Sequence, residues 1–241
     1  MIFNSDEFVF NAPRPITRAR RVLIKPDIST SREYPYTTSP KLLSTIIDGV
    51  RRVSDADIMI IGGTPDGSPV ADVYKALGYD FPRVIMVDVK DCVWVEVDNP
   101  LEKPLAIPTF LIPNIVLSSD YLITTCPLKV ENGRGMLSIA NLLPLLSVER
   151  YGKHWQNLNE FDMQSVLADL YFTMPFDMGI IEGESRLDIR SGAKDMVSSF
   201  GKVYQGEPYY IDREMSTALN IETTYLDLVD EAEAELEGEE D

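Results

Sequence analysis

Three short apolar runs, Val22–Ile24, Ile58–Ile61 and Tyr121–Thr125, each stop at a segment carrying proline or glycine: Lys25-Pro26-Asp27, Gly62-Gly63-Thr64 and Cys126-Pro127-Leu128-Lys129. Continuous apolar runs of this length, bounded by chain breakers, mark strands buried on both faces, as in parallel sheets. Between the first two runs, Ser39-Pro40 supplies a helix N-cap and a favoured first helical residue. Leu42, Leu43, Ile46, Ile47 and Val50 then fall on one helical stripe. Strand, helix and strand in this order make a βαβ unit. The expected fold is a single α/β domain with a mixed, mainly parallel sheet and helices on both faces.

The remaining chain fits that frame. Ser68-Pro69 is expected to open a helix over 70–77, and a third strand follows at 83–89. From Asp91 to Ile112 the pattern alternates in CVWVEV and is then broken by Pro100, Pro104 and Pro108. A β-hairpin insertion suits that stretch, because central strands exclude proline. Helices are expected at 136–146, at 161–174 and from Arg213 with Asp212 as its cap, and strands at 178–181 and near Val203. Residues 1–20 read as a polar arm, 21–226 as the α/β domain and 227–241 as an acidic tail.

The chain has 241 residues, within the size a single core can fill. Its net charge of -17 is uneven, because nine carboxylates and no base lie between Asp227 and Asp241. That segment reads as a helix end passing into a solvated tail, or as a docking tail for a basic protein partner. Nucleic-acid binding is disfavoured, since it needs a clustered positive surface; the one basic cluster, Arg14, Arg18, Arg20 and Arg21, reads as a solvated leader. No apolar run is long enough to span a bilayer, and MIFNSDEFVFN lacks the basic and apolar regions of a secretory signal, so no membrane contact and a cytoplasmic location are expected. Two cysteines, Cys92 and Cys126, cannot supply the four thiolates of an ordinary cluster, so no cysteine-ligated iron–sulfur cluster is expected within this chain. Other cofactors and any metal remain unassigned.

Lys25 and Lys129 both follow apolar strands, where α/β proteins place ligand sites. Lysine there binds an anion or, desolvated, acts as base or amine nucleophile; otherwise it is a surface residue at a strand end. Asp27 is expected to hold Lys25 protonated. Lys129 is expected in a mobile loop leading to Gly133-Arg134-Gly135. The Gly62–Gly67 loop lacks both the P-loop lysine and the GxGxxG spacing, so Gly62, Gly63 and Thr64 read either as contacts for a carboxylate or phosphate or as a tight turn. Asp66 either orients a ligand hydroxyl or stabilises that turn. His154, the only histidine, excludes multi-histidine metal sites and is either the neutral-pH acid/base or a loop residue. Glu182 reads as an acid/base or metal ligand, or as a solvated loop carboxylate.

The segments RRVLIKPDIST, PYTTSPKLL, IIGGTPDG, SSDYLITTCPLK and GKHW, in this order, resemble the family called domain of unknown function 362, over roughly Ala19 to Leu226. The resemblance implies an α/β fold more than a chemistry. It places Thr37 and Thr38 at a helix start and matches His154 to a later family histidine. Glu182-Gly183 keeps the acid and glycine of a family strand end. Where the family pattern continues Lys-Thr-His, this chain has Lys129-Val130-Glu131, so a proton-transfer group or metal ligand gives way to a carboxylate.

Together these residues suggest an enzyme, or enzyme remnant, acting on a small anionic molecule. Lys25 and Lys129 would hold the anion, Thr37, Thr38, Gly62, Gly63, Thr64 and Asp66 would add contacts, and His154 with Glu131 or Glu182 would move protons. Two alternatives stay open: a redox accessory protein, as ferredoxin-linked family members imply, and a non-catalytic binding or scaffold protein.

Overall fold

The computed structural model describes residues 1–174 and 176–238. In chain order the elements are β1 (Ile2–Asn4), β2 (Arg21–Pro26), α1 (Pro40–Arg51), β3 (Asp57–Gly62), α2 (Val70–Ala76), β4 (Val84–Asp88), β5 (Trp94–Asp98), β6 (Thr109–Pro113), α3 (Asn114–Leu117), β7 (Tyr121–Glu131), β8 (Arg134–Met136), α4 (Val148–Tyr151), α5 (Met163–Thr173), β9 (Met178–Ile189), β10 (Met196–Gly206), α6 (Pro208–Leu219) and α7 (Thr224–Gly238). The main sheet runs β1-β10-β9-β7-β2-β3-β4, with β8 paired to the far end of β7. Strands β9, β7, β2, β3 and β4 are parallel, while β10 and β1 continue antiparallel. This is the mixed, mainly parallel α/β sheet that the apolar runs require.

Alternation along the central strands divides the core between two faces. Val22, Ile24, Ile58 and Ile60 pack with Leu42, Ile46 and Val50 of α1. Leu23, Met59 and Ile61 point the other way, toward α5, α7 and a 3-10 turn at Ala140–Leu145. Helix α1 starts as its sequence dictates: Ser39 Oγ accepts from Leu42 N, and Pro40 occupies the first turn. The predicted hairpin insertion is present as β5 and β6, a separate two-stranded antiparallel sheet.

Several boundaries differ from the sequence expectation. Strand β7 does not stop at Cys126-Pro127 but continues to Glu131, because β9 and β8 pair with its extension. Pro127 sits where the β7–β9 register shifts, the kind of irregularity that tolerates a residue without an N–H. Lys129 is therefore on a strand, and the turn comes later, at Asn132-Gly133, where both residues have positive φ. Strand β9 likewise runs to Ile189, so Glu182 lies within a strand rather than on a loop. The segment expected as a helix over 136–146 is the end of β8 followed by the 3-10 turn, which contains Pro144. Helix α6 begins at Pro208, capped by Glu207, while Asp212 is buried inside it. Helix α2 starts at Val70, where the Asp88 carboxylate accepts from Val70 N and Ser68 makes no cap.

The N-terminal segment is not merely an arm. Strand β1 pairs with β10, and Phe10 and Ile16 are fully buried while Arg14, Arg18, Arg20 and Arg21 are exposed. Residues Asp227 to Gly238 continue α7, with Val229 and Ala232 buried. The last three residues of the acidic stretch lie outside the described residues. Among those described, no helix is long and apolar enough to cross a membrane.

Candidate functional site

From β2 the chain proceeds outward through β3 to β4, then returns to place β7 on the opposite flank of β2. The carboxyl ends of β2 and β7 thus form a topological switch point, where open α/β sheets leave a crevice for ligands. A cavity of about 230 Å³ opens there, and Asp27, Ser29, Pro65, Lys129, Glu131, Asn141 and Trp155 are among its lining residues.

The cavity floor is a chain of polar contacts. Lys129 Nζ contacts the Asp27 carboxylate closely and also donates to Ser29 Oγ (3.4 Å) and the Tyr36 carbonyl (3.3 Å). Asp27 Oδ1 accepts from Ser29 N at 2.9 Å. Burial alone would raise the Asp27 pKa, but the charges of Lys129 and Lys25 and the hydrogen bonds from Lys129 and Ser29 reverse it, holding it below the ordinary carboxylate range. Behind the floor, Lys25 is fully buried and donates to Asn141 Oδ1 (2.7 Å) and the Pro26 carbonyl (3.1 Å). Asn141 Nδ2 in turn donates to the Lys25 and Thr125 carbonyls and to Thr124 Oγ1.

Asp27 does not hold Lys25 in its ordinary protonated state, as its neighbouring position suggests. Desolvation outweighs the carboxylate's attraction, with Lys129 adding repulsion, and brings the Lys25 pKa down to about 7. The direct partner of Asp27 is Lys129 instead.

Other sequence candidates lie apart from the cavity. Thr38 Oγ1 donates to the Thr125 carbonyl and accepts from Asp27 N, fixing the entry to α1, and Thr37 Oγ1 donates to the Arg32 carbonyl. Both threonines are buried structural ties. Gly62 and Gly63 serve close packing: a Cβ on Gly62 would lie 2.2 Å from Ile28 Cδ1, and one on Gly63 would lie 2.3 Å from the Pro144 carbonyl oxygen. Thr64 and Asp66 line a neighbouring cleft of about 770 Å³, on the other side of the Gly62–Gly67 loop. There the Asp66 carboxylate accepts from Ser68 N and Oγ, closing its own turn, and Thr64 Oγ1 donates to the Ser68 carbonyl. His154 is exposed and lines neither space, although its backbone N–H donates to the Pro65 carbonyl at the cavity rim.

Glu182 is buried at the start of α1, not beside Lys129. Its carboxylate accepts from Ser39 N at 2.9 Å and closely from Ser39 Oγ, and burial pushes its pKa up to about 7 against those bonds. The cavity thus gathers Lys129 and Glu131, with Lys25 one residue behind. Sequence reasoning missed Ser29, Asn141 and Trp155 as lining residues. Trp155 had a local signal, as the neighbour of His154 in GKHW, whereas nothing near Asn141 in sequence points to Lys25. Among the described residues, no group of three or more histidine, cysteine, aspartate or glutamate side chains could hold a metal ion.

No curated protein matches this sequence. Among solved structures, the chain is similar to one titled as the lactate racemase apoprotein from Thermoanaerobacterium thermosaccharolyticum, with a TM-score of 0.54 at 12% identity over 88% of this chain. The chain spans about half of that protein, 52% of its length, and at this identity the likeness concerns the fold. The motifs at β2, α1, β3 and β7 have a firmer counterpart. The family described as Domain of unknown function (DUF362) matches residues 22–206, so this chain belongs to that family.

Proposed function

We propose that the protein binds a small monoanionic carboxylate in the switch-point cavity, with Lys129 as its cationic contact. The observation that carries this reading is the position of the Lys129–Asp27 pair at the carboxyl ends of β2 and β7, lining an open cavity. An ion pair inside a packed core has no need of a cavity. One beside a cavity at the switch point is placed to exchange partners with a ligand.

Size and charge narrow the ligand. About 230 Å³ equals roughly seven to eight waters at ~30 Å³ each, which suits an acid of a few carbons better than a whole nucleotide. Lys129 is opposed by Asp27 and Glu131, and Lys25 behind them is half-protonated near neutral pH. The two carboxylates slightly outweigh the two lysines, so a dianion such as phosphate is repelled more strongly than a monoanion, for which the Lys129 contact can compensate. The protein of similar fold carries the name of a racemase for one such small acid, lactate. Glu131 at the rim and Lys25 behind Asn141 are the groups nearest to hand for moving a proton.

Calorimetric titration of the intact protein with acetate, lactate, pyruvate and inorganic phosphate tests the reading, with Lys129→Met as control. Carboxylate binding that vanishes in the variant is expected. Heat signals identical in both proteins would remove Lys129 from the site, and no binding by any carboxylate would remove the function.

A further inference from the structure

The neighbouring cleft of about 770 Å³ takes no part in the binding proposed above, yet it is the larger of the two spaces. It opens past the carboxyl ends of β3 and β4, the end of the sheet where α/β folds place ligands. Its volume lies within the roughly 300–1,000 Å³ of small-molecule sites. One wall is the end of the Gly62–Gly67 loop with the turn from Asp88 to Lys90, and the other is the segment 147–157 with α4.

The two walls are fastened to each other. His154 N donates to the Pro65 carbonyl at 2.6 Å, and Gly67, at φ 77°, sits so close that a Cβ there would lie 3.3 Å from Val148 Cγ1. Within the second wall, His154 and Trp155 hold left-handed conformations, with φ of 52° and 53°, shortly after Gly152 at φ 79°. Two successive non-glycine residues in this region are uncommon, and such backbone persists where surrounding contacts enforce it. The cleft is therefore built by ties between its walls and is not a gap between unconnected loops.

The polar groups of the lining are mixed in kind. Lys153, Glu149 and Gln156 are exposed and make no side-chain hydrogen bond or ion pair among the described residues. The hydrogen bonds from Ser68 bring the Asp66 pKa down to about 2, so Asp66 stays ionised and only accepts, with lone pairs left beyond those Ser68 uses. Lys153 only donates. Lys90 Nζ already faces Asp88 at 3.4 Å, which leaves Asp66 and Glu149 against Lys153, a balance that repels anions. Half-buried Trp94 adds apolar surface. Donor-only and acceptor-only groups around one space call for a ligand group that does both without charge, and a hydroxyl is that group. We propose that the cleft is a second binding site, for an uncharged polyhydroxylated molecule of the sugar class. Its hydroxyls donate to Asp66 and Glu149 and accept from Lys153, while Trp94 meets its carbon skeleton.

The chain has only two tryptophans, so the Trp94 indole signal of the ¹⁵N-labelled protein is assigned through Trp94→Phe alone. Titration of the intact protein with glucose, galactose, xylose and maltose is expected to move that signal saturably for at least one of them. The amide signals of β1 and β10, at the opposite edge of the sheet, are expected to stay. Lys153→Met and Glu149→Ala have no partner to lose in the fold, and each is expected to bind the same sugar about tenfold more weakly, the usual scale for one hydrogen bond to a charged group. A Trp94 signal static toward all four sugars would overturn the proposal, as would sugar affinity undiminished in both variants. A stronger response to inorganic phosphate or to ethylamine than to any sugar would overturn the uncharged class. Lys129 and Asp27 take no part in this test, so its failure leaves the carboxylate reading of the other cavity standing.

Discussion

Two buried carboxylates sit in contrasting surroundings. Asp169, on α5, accepts from Asn99 Nδ2 and from the backbone N–H groups of Leu105, Ala106 and Ile107, at 2.6–3.0 Å. It meets donors alone and lines no cavity described above, so it serves as a knot that fastens the hairpin insertion to the domain. Asp27 meets a lysine that has other partners, a second lysine stripped of water, and open space. A carboxylate enclosed by fixed N–H dipoles holds a loop in place; one facing a lysine beside a cavity is open to exchange. The contrast separates structural burial of charge from burial in which ligand binding can intervene.

The sharpest way to break this comparison is Asp169→Ala. Stranding three backbone N–H groups should cost about 4 kcal/mol of stability, at 1–3 kcal/mol for each unsatisfied group, while carboxylate affinity stays unchanged. Urea unfolding beside calorimetric titration measures both; a loss of affinity in a folded variant would show that the knot also shapes the site. Lys129→Met comes next, leaving Asp27 as an uncompensated buried charge, for a loss of about 3 kcal/mol. Adding Asp27→Asn should return much of that stability without restoring binding. Equal stability in the single and double variants would mean that the pair is not coupled.

The smallest effect is in pH dependence, where two buried groups act with opposite sign. Glu182 has a folded pKa raised to about 7, so the folded state binds the extra proton and stability falls as pH rises from about 5 to 7. Lys25 has its pKa lowered to about 7, so the unfolded state binds the extra proton above that value and stability rises from pH 7 toward 9. Each arm should span about 2 kcal/mol, placing a dip near neutral pH. Glu182→Gln should flatten the acid arm and Lys25→Met the alkaline arm in chemical denaturation across pH. Two unaltered arms would show that neither group bears the shift.

Much of the parallel half was legible because each of its signals is local. Ser39-Pro40 announces α1 within two residues, and the runs at Val22 and Ile58 carry their burial in their own composition. The site was legible as a place more than as a set of groups. Lys25 and Lys129 do stand at the switch point, but their environments come from Asn141 and Asp27, and Asn141, 116 positions from Lys25, carries no local sign of that contact in sequence. Pro127 read as a stop because a proline ends most central strands, and only the partner strand shows that the register shift accommodates it. Glu182 read as a loop carboxylate for the same reason: the glycine after it looks like an ending, yet β10 continues the pairing.

That register shift also governs the shape of the switch-point cavity. Pro127 pairs with Glu182, but Leu128 pairs with Arg186, so β9 spends three additional residues, Gly183 to Ser185, on a single step of β7. The crease separates a base, formed by the end of β2 with Asp27 directly after it, from a projecting arm that carries Lys129, Glu131 and Ile189. The two walls of the cavity therefore belong to panels hinged at one irregularity, and strand irregularities of this kind bend and twist the chain that carries them. Removing or adding one residue between Gly183 and Ser185 would re-aim the arm and change the gap between its lysine and the base while every lining side chain keeps its identity. A change of length at this crease would therefore change the cavity's size without changing any of its lining residues.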